Sequence, residues 1–336
     1  MNILAIGPHP DDIEFGCAPI LMKETRRGNH VKILVLSRGE AGSAGTPEGR
    51  EQESRDAASL IGASIEFLEF GGDCHLEYSP QNAFRIARQI RDFKPEIVNH
   101  HAAQHSVAIG SRDPVYDAQI NVLGLLNVLE NAVKSGVRKV LFASSGASFG
   151  TPESLPIDES TPQRPESPYA ITKMVGEHYL RFYRAQHGLD FTALRYGNVY
   201  GPRQDPNGEA GVISIFIGRF LAHQGVKIFW DGEQTRDYIY SGDIAALNVR
   251  ALERGGGSCY AIGTNRKTSV NELYRSLVEV TGFEAPIERL PRRPGDVRDA
   301  QIDPALAGRE LGWYPSTTLR DGMKATVEFF RERLPA

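Results

Sequence analysis

The chain has 336 residues, of which 40% are hydrophobic and 24% charged, a composition typical of a folded globular protein with one large or two ordinary domains. Its formal net charge of −4 argues against a general nucleic-acid-binding protein, which would usually carry a basic face. The three cysteines fit neither a disulfide framework nor a zinc motif, and no run reaches the roughly 18 apolar residues that span a bilayer. We therefore expect a cytoplasmic protein whose partners include neither nucleic acid nor membrane.

Short apolar runs alternate with helical patterns along most of the chain. Strands are predicted at residues 2–7, 31–36, 64–70, 96–100, 139–144 and 191–195, and helices at 17–27, 50–61, 80–93, 115–135 and 168–187. Such alternation predicts the α/β class with a doubly wound, parallel, Rossmann-like sheet. Glycine and proline become frequent after Gly201, which indicates a smaller C-terminal lobe for substrate.

The turn after the first predicted strand carries groups that bind metal. It reads Gly7-Pro8-His9-Pro10-Asp11-Asp12, and an imidazole with a carboxylate suits zinc. A second carboxylate beside the metal can take a proton from bound water. Capping of the following helix by Asp11 or Asp12 is the structural alternative.

The same turn differs from a dinucleotide-binding loop. Such a loop reads G-x-x-G-x-x-G and lets the backbone approach the pyrophosphate at a helix N-terminus. An acidic residue should then end the second strand and hold the adenosine ribose, but this strand runs into Ser37-Arg38. Carboxylates in place of glycines predict an NAD affinity far below that of an intact dinucleotide site.

Tyr169 and Lys173 stand four residues apart in the predicted helix 168–187, so they share a helix face. A lysine ammonium beside a phenol favours the phenolate and can lower the pKa of the tyrosine from its usual value of about 10. The pair follows the serines that end a predicted strand, Ser144 and Ser145, by about 24 residues. This arrangement predicts a tyrosine general base.

Seven segments resemble the extended short-chain dehydrogenases/reductases, and among them the UDP-glucose 4-epimerase group. In chain order they read HHAAQHSV, DAQINVLGLLNVLE, VRKVLFASSGASFG, DESTPQRPESPYAITKMVGEHY, LRYGNVYGPRQDP, GEQTRDYIYSGDIA and RRPGDV. The resemblance covers residues 98–336. One departure is Phe149, where the family often has tyrosine.

The resemblance implies a role for each matching residue. Tyr169 would be the base acting on the sugar 4-hydroxyl, Lys173 would hold the nicotinamide ribose, and Ser145, rather than Ser144, would hydrogen-bond the 4-oxygen. The substrate-binding residues would be Asn198, Arg236, Arg293 and Asp296: the first three contact the diphosphate, and the last binds the nucleotide ribose or orders Arg293. The implied cofactor is NAD, the implied substrate is a UDP-sugar, and the implied assembly is a homodimer formed through helices 115–135 and 168–187.

Residues 1–98 resemble instead the N-terminal half of the LmbE/PIG-L family of N-acetylglucosaminyl deacetylases. The matching runs are NILAIGPHPDDIEFGCAPIL, ILVLSRGEAG and GREQESRDAASLIGA. The resemblance implies that His9 and Asp12 ligate a metal, weakly bound zinc, and that Asp11 is the general base. The family's third ligand lies in a His-x-Asp-His run that this chain lacks, and His105 is the substitute candidate.

Together these resemblances predict a hybrid, with residues 1–98 as a deacetylase-like half of the sheet and residues 99–336 as the epimerase-like remainder plus the substrate lobe. The cofactor half of an epimerase would then be replaced. Three functions stay open: a UDP-hexose 4-epimerase of impaired activity, a hybrid without turnover that binds nucleotide sugar or metal, and a zinc-dependent amino-sugar N-deacetylase.

Overall fold

The computed structural model describes residues 1–7, 10, 12–39, 46–68, 79–202, 204, 211–292 and 297–332, without the side chains of residues 12, 14–17, 19 and 83. Its strands are β1 Asn2–Gly7, β2 His30–Val35, β3 Ser64–Phe67, β4 Ile97–His100, β5 Lys139–Ser145, β6 Asp190–Tyr196, β7 Asn198–Tyr200, β8 Val226–Phe229, β9 Thr235–Arg236, β10 Tyr238–Tyr240, β11 Ser258–Ile262, β12 Thr268–Ser269 and β13 Ile287–Leu290. Its α-helices are α1 Asp12–Arg26, α2 Pro47–Ile61, α3 Pro80–Phe93, α4 Val107–Arg112, α5 Pro114–Ala118, α6 Gly124–Lys134, α7 Pro168–His187, α8 Val212–Leu221, α9 Ser241–Glu253, α10 Val270–Thr281, α11 Ala305–Leu311 and α12 Leu319–Arg331. None of the helices in this described part of the chain is long and apolar enough to cross a membrane.

Seven strands form one sheet in the order β11-β6-β5-β4-β1-β2-β3. The pairings that join β3, β2, β1, β4 and β5 are parallel, so the predicted doubly wound α/β fold is confirmed. The chain leaves β1 for β2 on one side and later places β4 on the other. This reversal creates a switch point at the carboxyl ends of β1 and β4, the place where open α/β sheets bind ligands.

The cofactor half of the sheet is present as architecture. The run β1, α1, β2, α2, β3 occupies the positions of a dinucleotide-binding half, with β1 paired to β2 from Asn2↔His30 to Gly7↔Val35. The strands of this half were predicted, but the expectation that the cofactor half of an epimerase is replaced is wrong. The first turn differs in sequence, because it does not have the glycine-rich pattern of a dinucleotide-binding loop.

Local signals in the sequence explain where the helices that carry the site begin and end. α7 starts at Pro168 after the N-cap Ser167, whose side chain accepts a hydrogen bond from the Ala170 N–H, and it ends at Gly188 with φ of 69°. Proline suits the first turn because its missing N–H is not needed there, and glycine adopts the left-handed conformation without strain. The predicted bounds of α7 are confirmed for these reasons.

The predicted long helix 115–135 is interrupted. The structure has α5, then a π-helical turn at Gln119–Leu123, then α6. Within the turn, the Asn121 side chain is buried and donates to the Gln104 carbonyl at 2.9 Å. A contact made 17 residues away in sequence is invisible to helical periodicity, and π-helical turns are frequent at functional sites.

The chain divides into two compact units. Unit 1 comprises Met1–Ser144, Ser167–Leu194 and Asn248–Cys259, and unit 2 comprises Ser145–Glu166, Arg195–Leu247 and Tyr260–Ala336. Unit 1 has a core in which Leu4, Leu34 and Val98 are buried. In unit 2 one core packs α8, α10 and α12 around residues such as Phe216 and Leu273. The predicted division at residues 98 and 99 concerns ancestry and stays a prediction.

Candidate functional site

The carboxyl end of β4 places buried polar atoms at the switch point of unit 1. His100 pairs with Ile6 of β1, and its ring stacks on Phe142 at a centroid distance of 6.0 Å. Burial, followed by the positive charges of Lys173 and His101, lowers the pKa of His100 to about 3, so the imidazole is neutral. Among the described residues, His100 Nδ1 and Asn99 Oδ1 are buried without a hydrogen-bond partner, which fits a group bound at this edge.

Lys173 and Tyr169 come together on one face of α7. Lys173 is 4% exposed, and its ammonium donates to the Ala143 carbonyl at 2.7 Å. The same nitrogen lies 5.8 Å from the centroid of the half-buried Tyr169 ring and 5.0 Å from that of Phe142. Burial lowers the pKa of Lys173 to about 8, against the raising effect of Asp117. The lysine therefore remains mostly charged at neutral pH and can favour a neighbouring phenolate.

The two candidate serines, Ser144 and Ser145, have different hydrogen-bond partners. Ser144 is buried and donates to Glu177 Oε1 at 2.6 Å, and Glu177 is itself fully buried. Ser145 caps the 3₁₀ turn at Gly146–Phe149 by accepting from the Ala147 N–H at 3.2 Å. Because this bond uses an oxygen lone pair, the Ser145 hydroxyl proton stays available for a substrate oxygen. Ser144 is thus bound to a buried carboxylate, whereas the role implied for Ser145 stays a prediction.

Phe149 is fully buried, and the Arg195 guanidinium lies 5.1 Å from its ring centroid. A phenyl ring in this place offers a cation–π surface and no hydroxyl.

In unit 2, two of the predicted substrate-binding residues line one pocket of about 370 Å³, within the range of small-molecule sites. Asn198 lies on β7 opposite Tyr238 of β10. Arg236 lies on β9, and its Nη1 donates to the Thr235 and Val297 carbonyls at 2.8 Å. These bonds fix the guanidinium fork at the pocket wall.

The pocket also contains side chains that the sequence did not single out. Phe216, Phe229 and Tyr238 supply aromatic surface, while Arg219 and Lys227 add positive charge. Two cations and three aromatic rings beside Asn198 and Arg236 suit a ligand with a planar base and anionic groups. Sequence patterns indicated these pocket residues only weakly, because the residues come from three elements separated along the chain.

The remaining predicted residues lie outside the description. His9, Asp11, Arg293 and Asp296 are not among the described residues, and neither is the side chain of Asp12. Within the part that is described, no three His, Cys, Asp or Glu side chains group as a metal site. His105, the substitute metal ligand, is exposed. The predicted zinc site therefore gains no support here.

Comparison with known proteins gives one consistent family. Residues 48–263 match the model of the NAD dependent epimerase/dehydratase family. A UDP-glucose 4-epimerase of Mycolicibacterium smegmatis is 44% identical over 246 residues, 73% of this chain and 79% of its own length. A putative UDP-glucose 4-epimerase of Methanocaldococcus jannaschii is 45% identical over 237 residues, 70% of this chain and 77% of its own.

Solved structures agree over the whole chain. The UDP-glucose 4-epimerase of Thermotoga maritima with UDP-glucose is 37% identical, with a TM-score of 0.82 and 100% of both chains covered. The Thermus thermophilus UDP-glucose 4-epimerase in complex with NAD is 32% identical, with a TM-score of 0.82, covering 99% of this chain and 100% of its own. Because the family match begins at residue 48, the predicted change of family near residue 98 is wrong for residues 48–98. The deacetylase resemblance of the first residues gains no support from these comparisons.

Proposed function

Because the chain belongs to the NAD dependent epimerase/dehydratase family, we propose that it acts on a UDP-hexose and inverts the configuration at the sugar C4. The observation that carries this proposal is the buried Lys173 ammonium 5.8 Å from the Tyr169 ring on the same face of α7. Two relatives that share this region are named as a UDP-glucose 4-epimerase and a putative UDP-glucose 4-epimerase. Their names support the substrate class.

The roles of the chain's own residues follow from their chemistry. Tyr169, as phenolate, takes the proton of the sugar 4-hydroxyl and later returns it. Lys173 stabilises that phenolate by its charge and holds the nicotinamide ribose, while Ser145 donates its hydroxyl proton to the 4-oxygen. NAD would supply the acceptor that takes the C4 hydride and returns it to the opposite face of the sugar, so that the cofactor is unchanged after each turnover.

The pocket of unit 2 holds the nucleotide. Asn198 and Arg236 line it, and the guanidinium of Arg236 is aimed by two carbonyl bonds, so both are positioned to bind the diphosphate. Arg293 and Asp296 complete this set in the proposal. Which hexose is bound depends on groups around the sugar, where Phe149 removes a hydroxyl.

The first turn sets the cofactor affinity. Its sequence has carboxylate residues at Asp11, Asp12 and Glu14, where a dinucleotide-binding loop has glycines without side chains. Like charges repel pyrophosphate in a partly buried cleft, so NAD binds more weakly than in an epimerase with the glycine-rich loop, and the activity is lowered accordingly.

A homodimer is part of the proposal. In unit 1, α5 to α7 and the π-helical turn leave large apolar side chains exposed: Val115 is 66% exposed, Leu123 42%, Ile171 45% and Phe182 52%. Exposed apolar side chains on neighbouring helices favour burial against a second protein surface.

One experiment separates the candidate functions. Purified protein is assayed for interconversion of UDP-glucose and UDP-galactose with added NAD, then denatured and assayed for released NAD and zinc together. The proposal expects interconversion, and a loss of about 10²- to 10⁴-fold in Tyr169→Phe with UDP-glucose affinity retained. Stoichiometric zinc with acetate release from an amino sugar would support the deacetylase instead. Nucleotide-sugar binding without turnover would support the inactive hybrid.

A further inference from the structure

A buried carboxylate lies beside the proposed site and has so far been given no role. Asp117, at the end of α5, is fully buried. Its Oδ2 accepts from Gln104 Nε2 at 2.7 Å, and its Oδ1 accepts from Thr172 Oγ1 at 2.8 Å and from Asn121 Nδ2 at 3.2 Å. All three donors are neutral, so they solvate the carboxylate without cancelling its charge.

These bonds tie α7 to the π-helical turn. Asn121 Nδ2 also reaches Thr172 Oγ1 at 3.1 Å, and the Gln104 N–H donates to Asn121 Oδ1 at 2.8 Å. Thr172 directly precedes Lys173 in α7. A methyl group built on Gly110 of α4 would come within 2.6 Å of Asp117 Oδ2, so α4 also closes over the carboxylate. Four segments thus converge on one charge.

The negative charge of Asp117 affects Lys173, as the other groups around this lysine show. His100 on β4 is neutral, since its pKa is about 3, and Glu177, one turn further along α7, accepts from Ser144 and lies 4.0 Å from Arg181. Tyr169 faces the lysine from the same helix. Burial lowers the pKa of Lys173, and Asp117 acts in the opposite direction. Within the described part of the chain, Asp117 is therefore the anion that opposes the desolvation of this ammonium.

We propose that Asp117 is a positioning residue of the site, which fixes the turn of α7 carrying Lys173 through Thr172 and keeps Lys173 an ammonium beside Tyr169. This inference rests on the proposed function, because the ammonium matters to catalysis only if Tyr169 is the base. Replacing the carboxylate with a neutral amide leaves the lysine buried with its counter-charge removed. Lys173 then loses its proton at lower pH, and the phenolate loses its support in the same range.

The test measures the titration of Lys173 directly and the reaction separately. Isotope-labelled lysine is followed by NMR as pH is raised, and the Lys173 signal is assigned by its absence in Lys173→Met. In Asp117→Asn the titration midpoint should fall by about one pH unit, whereas Asp117→Glu, which keeps the charge, should stay close to wild type. Asp113→Asn, an exposed cap residue of the same helix, is the matched control and should change nothing.

The pH–rate profile distinguishes a charge effect from general damage. In Asp117→Asn the turnover should drop about fivefold at pH 8, where wild-type Lys173, with a pKa of about 8, is half protonated. It should recover towards wild type near pH 6.5, where Lys173 is protonated again. An equal loss at every pH, or an unmoved Lys173 midpoint, would overturn the inference. If Asp117→Asn does not fold, Thr172→Val tests whether the bond between Asp117 and Thr172 positions α7. This variant should lower turnover at all pH values without moving the titration midpoint of Lys173. Unchanged turnover would overturn the positioning role. Absence of epimerase activity in wild-type protein sinks the proposed function alone, since the NMR midpoints still decide on Asp117.

Discussion

At the scale of single residues, Lys173 combines its proposed catalytic role with a cost in stability. Its folded pKa of about 8 lies below the ordinary lysine value of 10.5, so the folded protein binds this proton more weakly than the unfolded chain does. The destabilisation is present in full below about pH 8 and disappears as pH rises towards 10.5. This difference between the two pKa values lowers the free energy of unfolding by about 3 kcal/mol below pH 8.

Lys173→Met should therefore be more stable than wild type at pH 7 by about 2 kcal/mol, after the loss of roughly 1 kcal/mol for the bond to the Ala143 carbonyl. The advantage should shrink between pH 8 and 10.5, because only the wild type releases a proton there. Urea unfolding of both proteins across this range measures the difference. A stability difference that does not vary with pH would contradict the argument.

The two strand-end serines give a matched pair of substitutions. Ser145→Ala should lower turnover by about 10²-fold, the size expected for one hydrogen bond to a reacting oxygen, and leave the unfolding free energy nearly unchanged. Ser144→Ala leaves the buried Glu177 with one donor fewer and should cost about 1–3 kcal/mol in stability while largely sparing turnover. Steady-state kinetics and urea unfolding of both variants check this, and a reversed pattern would assign the site to Ser144.

At the scale of elements, the position of α7 depends on a close approach at Gly176. A methyl group there would lie 2.8 Å from Phe142 Cζ and 3.0 Å from Leu125 Cδ2, so the helix could not pack as tightly on β5 and α6. Gly176→Ala should cost about 1–3 kcal/mol and lower turnover by displacing Tyr169 and Lys173. Gly124→Ala, whose new methyl meets only a carbonyl at 4.0 Å, is the control and should be neutral or stabilising by up to about 1 kcal/mol. Thermal unfolding and turnover of the pair measure the effect.

At the scale of the whole molecule, assembly is the property to test. The double substitution Ile171→Glu with Phe182→Glu places two charges on the exposed apolar surface of α7 and should convert a dimer to monomers, because burying charge at an interface is costly. Light scattering after size-exclusion chromatography gives the mass directly. Leu60→Glu on α2, at a side chain 78% exposed, is the matched control and should not change the mass. A wild-type protein that is already monomeric would refute the proposed homodimer.

Periodicity and caps in the sequence were sufficient for the α/β class, for β1 and for the bounds of α3 and α7, because these features depend on neighbours in the chain. They also placed Tyr169 and Lys173 on one helix face, since that spacing is local. The first three strands and their place in the sheet were also predicted, but the family of this half was misjudged, because the unusual sequence of one turn was given more weight than the strand–helix alternation around it. A fold tolerates changes in a turn when the buried strands remain.

Only the tertiary structure decided what depends on contacts through space. Ser144 is distinguished from Ser145 by a glutamate 33 residues away. The proposed nucleotide pocket gathers side chains from separated strands and helices, and the π-helical turn contains Asn121, which is bonded to the distant Gln104. The same holds for the charge of Lys173, which depends on burial and on Asp117. A sequence states which groups are available, but their pKa values and partners are properties of the packed environment, which forms only when distant segments meet.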